Sequence, residues 1–252
     1  MIDQKTLAYI NLYAILGTLE NLCELAPEAS SLLTNKKPIS IGFDVKGGPK
    51  ATLTFANGLC RMDQGCGKCD VKLPFSSPEK FNGLIDGTTT PIPSKGFIHI
   101  GFLLNSFTKL TDLLTKYLQP CEEDLKDPDF FRISTALTLN VVGVAIAQVG
   151  NNDEIGKFSA AHIVDGSVMM AIKDGPAVEV TCKDHRLITL KRTPEKYRAS
   201  MIFDSYETAN ALFNGKVNAL SCIGTGKIEM HGLVGMIDNL NRILDRVALY
   251  LA

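Results

Sequence analysis

The chain has 252 residues, 26 basic and 27 acidic side chains, and a formal net charge of −1. Because it contains no long run of either sign, it lacks the electrostatic signature of a protein that binds nucleic acid or an anionic membrane. Seven cysteines, an odd number, favour a reducing cytoplasm over a disulfide framework.

Targeting and membrane signals are not expected either. Asp3 lies where a secretory signal would need a basic start, and no uninterrupted apolar run reaches the roughly 20 residues of a membrane-spanning helix. We therefore expect a cytoplasmic protein without an integral membrane segment.

The first half begins with apolar residues at helical spacing over residues 7–25, which predict a helix. Four strands are predicted after it, at residues 39–45, 51–55, from 59 onward, and 70–75. Asn57-Gly58 between two alternating segments is a strong hairpin signal. Pro74 restricts the fourth strand to an edge or a strand end, because proline donates no hydrogen bond to a sheet.

A duplicated segment follows. Residues 75–87 return as 203–215, with Phe, Ser, Glu, Asn, Leu and Gly at one constant offset. Ser76-x-x-Glu79 and Asp204-x-x-Glu207 have the spacing of a helix capping box, and each segment ends in a glycine suited to a left-handed C-terminal cap. One helix is predicted in each segment.

Each half is predicted to close with a short strand, at residues 97–100 or 227–230, and a long amphipathic helix. In the second half the preceding elements are a helix at 137–149 and strands at 168–172, 177–182, 187–190 and 199–203. A period near half the chain indicates two copies of one domain, since solenoid repeats are shorter. The polar segment 121–129 ends in Asp-Pro, so we place the domains at 1–120 and 121–252.

This order of elements resembles the sterol carrier protein-2 (SCP2) lipid-binding family. Residues 199–207 are similar to the family's strand leading into a helix, Asn214-Gly-Lys216 to the end of that helix, and residues 226–232 to the strand before the closing helix. The resemblance covers residues 165–252 well, and the first half matches through the internal repeat. The two-copy arrangement is similar to that of bacterial members of the family.

The first half departs from the pattern near its end. Residues 91–96 replace the ordinary approach to the last strand, and Phe97 is expected where the second half has Lys227.

The resemblance implies an α/β fold of two tandem domains, each a five-stranded, mostly antiparallel sheet covered by helices around an apolar tunnel. It implies non-enzymatic binding, and as a further expectation transfer, of a fatty acyl chain, a sterol-like molecule or another lipid, without a cofactor. The expected ligand-binding residues are Met201, Phe203, Leu212, Phe213, Met230, Leu233, Met236 and Leu240 in the second half, and Phe75, Phe81, Leu103, Phe107 and Leu110 in the first.

Two structural alternatives stay open. The apolar stripes of the closing helices could fill a solid core, which would leave an interaction module with a collapsed tunnel. Methionines are also ordinary gap-fillers, although flexible and polarizable side chains suit a cavity whose ligand varies in shape. Five of them lie in the second half: Met169, Met170, Met201, Met230 and Met236.

A chemical alternative rests on Cys60, Cys66 and Cys69. Cys66 and Cys69 have the C-x-x-C spacing of a zinc knuckle or a redox pair, which would suit a redox protein, a metalloprotein or an enzyme. Three thiols are one ligand short of a closed zinc site, and the matching segment 191–198 has no cysteine. We therefore expect ordinary thiols and no metal. The four histidines are scattered and match no catalytic motif.

Overall fold

A computed structural model describes residues 2–252. The chain folds into two compact units, and the boundary between them falls between Ile133 and Ser134. Both units combine a β-sheet with helices, so the α/β class predicted from the sequence is confirmed. The boundary lies in the first turns of a long helix, and the domain limits at residue 120 stay a prediction.

The first unit contains six α-helices and four strands within the described residues. The helices are α1 Gln4–Tyr9, α2 Leu19–Leu25, α3 Pro27–Ser31, α4 Pro78–Ile85, α5 Ile100–Phe102 and α6 Thr108–Leu118. The strands are β1 Ile39–Val45, β2 Lys50–Ala56, β3 Leu59–Gln64 and β4 Val71–Phe75. A π-helical turn (Ile10–Ile15) and a 3-10 turn (Leu16–Thr18) join α1 to α2, so the predicted helix over residues 7–25 is one helical run.

The first sheet has the strand order β3-β2-β1-β4. Its neighbours are antiparallel except β1 and β4, which run parallel. Asn57 and Gly58 both have positive φ, 52° and 80°, as a two-residue hairpin turn of this kind requires. Pro74 lies in the edge strand, as predicted.

The fifth strand predicted at residues 97–100 of the first unit is wrong. Phe97–His99 forms a 3-10 turn that continues through α5 and a π-helical turn (Leu103–Phe107) into α6. Pairing with β4 is reduced to an isolated bridge between Lys72 and Lys95. Pro91 and Pro93 cannot donate hydrogen bonds to a ladder, which explains why no longer strand forms here.

The second unit has five helices and five strands in the described residues. The helices are α7 Pro128–Asn152, α8 Glu154–Ala160, α9 Tyr206–Phe213, α10 Ala219–Gly224 and α11 Val234–Leu251. The strands are β5 Gly166–Ile172, β6 Ala177–Lys183, β7 Arg186–Leu190, β8 Ala199–Phe203 and β9 Ile228–Gly232, in the order β7-β6-β5-β8-β9. Only β5 and β8 pair in parallel within this sheet.

Helix α7 is long and apolar enough to cross a membrane by length and composition, with a mean hydropathy of 1.6 over its most apolar window. Of that window, 72% is buried inside the protein. Gly143 explains part of this burial, because a Cβ there would lie 2.9 Å from a methyl carbon of Val178 on the sheet. Length and composition alone therefore do not distinguish α7, which is mostly buried in the core, from a membrane-spanning helix.

The recurring residues of the duplicated segment have matching structural roles. Ser77 and Ser205 are the N-caps of α4 and α9, accepting hydrogen bonds from the third residue beyond. The predicted caps at Ser76 and Asp204 are therefore one residue too early. In the first unit, Pro78 occupies the first helical position, which its fixed φ suits.

The recurring asparagines join each capped helix to the first helical layer of its unit. In the first unit, the Asn11 side chain donates to Asn82 at 3.1 Å. In the second, Asn210 donates to the Thr135 hydroxyl, also at 3.1 Å. All four side chains are buried, where a lost partner would leave a polar group unsatisfied.

Gly96 and Gly232 mark the same place in the two units. Their φ angles are 90° and 95°. A Cβ on Gly96 would collide with the Asp70 carbonyl, and one on Gly232 with the Arg198 carbonyl. Gly96 is thus the counterpart of Gly232, and Phe97 occupies the place of Leu233, not of Lys227 as the sequence suggested.

Helix α11 is held at its C-terminal half by a buried carboxylate. Asp153, the N-cap of α8, accepts from Arg246 at 2.7 Å and from the Tyr250 hydroxyl at 2.7 Å. Burial alone would raise the pKa of Asp153, but the hydrogen bonds from Arg246, the Gly156 amide and Tyr250 outweigh it and lower the pKa to about 2.

We expect Gly232→Ala to lower the free energy of unfolding by about 3 kcal/mol, because it adds a backbone clash to a positive-φ strain. Gly235→Ala is the matched control, since a Cβ there meets nothing within 4 Å and alanine favours helix. Urea unfolding followed by circular dichroism measures both. Equal stability of the two variants would show that the close approach at Gly232 is unimportant.

We expect Asp153→Asn to cost about 2 kcal/mol at pH 7, because the carboxyl has a folded pKa near 2 and a reference value of 3.8. This stabilisation is complete above pH 4 to 5 and disappears as the pH falls towards 2, so the wild type and the variant should converge there. The control is Asp238→Asn, which removes an exposed pair with Arg242 and should change stability by less than about 0.5 kcal/mol. A constant difference between Asp153→Asn and wild type from pH 7 to pH 2 would contradict the assignment.

Candidate functional site

The second unit contains a cavity of about 800 Å³ between its sheet and its closing helix. Three methionines form the floor in a single row across neighbouring strands. Met170 on β5 pairs with Met201 on β8, and Met201 pairs with Met230 on β9. All three line the cavity, and so does the next cross-strand pair, Phe203 and Ile228. The floor is therefore wholly apolar and largely flexible.

Helices form the walls. The end of α9 contributes Leu212 and Phe213, and α7 contributes Val142. Helix α10 contributes Leu220, which is 77% exposed although it lines the cavity, so this helix lies at the mouth. The C-terminal half of α11 supplies a face of residues three and four apart, as helical geometry requires: Asn241, Leu244, Asp245, Val247, Ala248 and Leu251.

Polar side chains around the cavity are few and lie near its mouth. Among the described residues that line it, they are Asn214, Asn218, Asn241 and Asp245. Asn214 donates to the Asn210 carbonyl at 2.8 Å, and Asn218 caps α10 by accepting from the Ser221 amide at 3.2 Å. Two of the four thus have local structural partners. The other two, Asn241 and Asp245, lie one turn apart on α11.

The cavity depends on a stretch of chain that is longer in the second unit. From Gly215 to Gly232 the chain advances 17 residues, whereas it advances nine from Gly87 to Gly96. The longer stretch forms α10 and most of β9, and it contributes a large share of the lining.

In the first unit, aromatic side chains lie between sheet and closing helix. Phe107 lies 6.2 Å from Phe43 and 5.9 Å from Phe55, measured between ring centroids. Phe102 lies 5.5 Å from Phe55. Phe43 occupies the position in β1 that Met170 has in β5, relative to the parallel strand beside it. One rigid ring, Phe43, thus takes the place of Met170, and Leu73 takes the place of Met201.

The residues expected to bind ligand are placed as follows. Those on the cavity wall are Met201, Phe203, Leu212, Phe213 and Met230. Those not on it in the second unit are Met236 and Leu240, which are buried in the core, and Leu233, which is 45% exposed at the N-terminus of α11. In the first unit, Phe75, Phe81 and Leu110 are buried and Leu103 and Phe107 are partly buried. Contact of any of them with a ligand stays a prediction.

The residues of α11 that line the cavity lie C-terminal to those expected from the sequence. Met236 and Leu240 are buried in the core nearer the N-terminus of the helix, whereas Leu244, Ala248 and Leu251 line the cavity. The four-residue spacing of Leu244 and Ala248 indicates a helix. Asn241 and Asp245 lie on the same face, and their polarity is typical of a solvent-exposed helix surface. Helix α10 was not predicted, because its six residues are too few to show an apolar helical periodicity.

Cys66 and Cys69 lie together over the centre of the first sheet. A Cβ on Gly42 would be 2.6 Å from the Cys66 sulfur and 2.7 Å from the Cys69 sulfur. Burial, and then the neighbouring Cys69, raise the pKa of the Cys66 thiol, which favours the protonated and less reactive form. Among residues 2–252 no group of three or more His, Cys, Asp or Glu side chains is arranged to hold a metal ion.

No protein-family model matches the chain, and no curated protein sequence matches it. Several solved structures do. The sterol carrier protein domain 2 of Helicoverpa armigera is 17% identical, with 44% of this chain and 88% of that chain covered and a TM-score of 0.36. A UbiJ-SCP2 ubiquinone synthesis protein is 11% identical, with 44% and 96% covered and a TM-score of 0.35. Sterol carrier protein 2 from Yarrowia lipolytica, in its apo form, is 17% identical, with 40% and 92% covered and a TM-score of 0.31.

Proposed function

We propose that the second unit binds an apolar small molecule, such as a fatty acyl chain, a sterol-like molecule or another lipid, in its cavity, and that it does so without catalysis. The observation that carries this proposal is the cavity of about 800 Å³ with a floor of three methionines in register. Its size lies within the range of small-molecule sites.

The energetics favour an apolar occupant. At about 30 Å³ per molecule, the cavity has room for roughly 25 waters, and its floor offers them no strong hydrogen-bonding partner. Transfer of each methylene from water contributes about 0.8 kcal/mol. A chain of ten or more carbons therefore offsets the cost of association without a hydrogen bond.

Shape selects the ligand in this scheme. Methionine is unbranched and has three rotatable side-chain bonds, so Met170, Met201 and Met230 can adapt to ligands of different outline. The mouth next to Leu220 gives such a ligand a route in from solvent. If binding is reversible, the protein would also transfer the lipid from a donor membrane to an acceptor membrane.

The side chains around the cavity support binding rather than catalysis. The polar residues among the described lining are three asparagines and one aspartate. Nucleophilic catalysis needs a nucleophile within hydrogen-bond reach of a base, and three amides and a carboxylate do not supply one.

We further propose that the two units are tandem copies of one SCP2-like domain, with limits at 1–120 and 121–252. The common strand order, the N-caps Ser77 and Ser205, and the close approaches at Gly96 and Gly232 support this. On this proposal the second copy is the binding copy, and the aromatic packing of the first serves stability. A cytoplasmic location stays a prediction from composition.

Ala248→Trp should weaken binding of a fluorescent long-chain acyl probe at least tenfold, because the indole enters the cavity from an exposed position on its wall. Leu249→Trp is the matched control: it is adjacent on α11, 52% exposed and not part of the lining. Its affinity should stay within twofold of wild type. Fluorescence titration below the critical micelle concentration measures both.

Two results would refute the proposal. One is the absence of saturable binding of acyl, sterol-like or neutral long-chain probes to the wild type. The other is equal weakening by Ala248→Trp and Leu249→Trp, which would place the probe on the surface of α11.

A further inference from the structure

The polar end of the cavity has a consistent chemical character. Asn241 and Asp245 lie one turn apart on α11 and both line the cavity. Asp245 is the only ionisable side chain among the described lining residues, and it is exposed, so it lies at the mouth. No lysine, arginine or histidine lines the cavity in the part of the chain that the structure describes.

The cations closest to Asp245 along α11 are paired with other acids. Arg242 binds Asp238 at 3.1 Å, and Arg246 binds Asp153 at 2.7 Å. Lys216 follows the lining residue Gly215, but it is exposed and its side chain does not line the cavity. Within the described residues, no ion pair is formed by Asp245, so its charge is available to a ligand.

A carboxylate beside an apolar cavity discriminates between ligand head groups. It accepts hydrogen bonds and cannot donate them, and it repels a second anion brought to the same mouth. An alcohol or an amine head would donate to Asp245, whereas a free acid would meet a like charge and no cation.

We propose that this site takes an apolar molecule whose head is a hydrogen-bond donor without negative charge, such as a long-chain alcohol or amine, and selects against free fatty acids through Asp245. This inference rests on the proposed function of the cavity. It makes Asp245 a specificity-determining residue and Asn241 its neighbour in contact with the head.

The test is a competition between three ligands with the same hexadecyl chain: hexadecanol, hexadecylamine and hexadecanoic acid. Each displaces a neutral pyrene-labelled long-chain alcohol from the full-length protein at pH 7. We expect the acid to need at least about tenfold higher concentration than the alcohol or the amine for half-displacement.

Variants test whether Asp245 is the residue that causes the head-group selectivity. Asp245→Asn should bring the amine and the acid to within about threefold of each other. It should change the half-displacement concentration of the alcohol by less than about threefold, because the asparagine carbonyl still accepts a hydrogen bond. Glu195→Gln, at an exposed acid of the second unit outside the cavity, should keep the wild-type order. Direct calorimetric titration of Ala248→Trp with hexadecylamine should show at least about tenfold weaker binding than the wild type, which excludes attraction to the protein surface.

The outcomes separate the two claims. If the probe binds but the acid competes as well as the alcohol, or if Asp245→Asn leaves the order unchanged, the head-group inference is overturned and the cavity remains a lipid site. If the neutral probe shows no saturable binding, the proposed function itself fails and the inference fails with it.

Discussion

The close approach of Gly232 to the start of β8 is the constraint on which the second unit depends. Its φ of 95° and the lack of a side chain let the end of β9 lie against the Arg198 carbonyl. The next residue, Leu233, donates its amide to that same carbonyl at 3.1 Å and begins α11. At the other end, Asp153 holds Arg246 and Tyr250. Both ends of α11 are therefore fixed. The size of the space between α11 and the sheet then depends on the side chains that project into it and on the length of the connecting segment before β9.

The two units share this glycine geometry but differ in the residues that lie between the sheet and the closing helix. The first has the same glycine geometry at Gly96, but a shorter connection, and Phe102 and Phe107 pack onto Phe43 and Phe55. The second has the longer connection, which adds α10 and β9. Its methionine row has Met170 at the position of Phe43 and Met201 at the position of Leu73. A cavity and an aromatic core can therefore arise on one arrangement of elements through eight residues and a few side chains.

The sequence predicted what depends on local pattern. The hairpin at Asn57-Gly58 and the left-handed glycines 87 and 215 follow from backbone preferences that no distant contact overrides. The failures depend on tertiary contacts. Residues 97–100 have a strand-like composition, yet they begin the helical run that leads into α6. Gly96 turns the chain early, and Phe102 packs against Phe55 of the sheet. The lining residues Leu244, Ala248 and Leu251 of α11 were not predicted, because Asn241 and Asp245 on the same helix are polar and are typical of a solvent-exposed surface.

The central claim is that the methionine floor contacts an apolar ligand, and methyl NMR of ¹³C-labelled methionine tests it directly. The sequence contains seven methionines, and they include internal controls. Met62 lies in β3 of the first unit, and Met169 packs with Ala171, Ala177 and Ile202 on the opposite face of the second sheet. On titration with hexadecanol, the account predicts saturable shifts of the Met170, Met201 and Met230 methyl signals with one common affinity, while Met62 and Met169 stay unchanged. Shifts at Met62 or Met169 of the same size, or no saturable shift at the three floor residues, would contradict it.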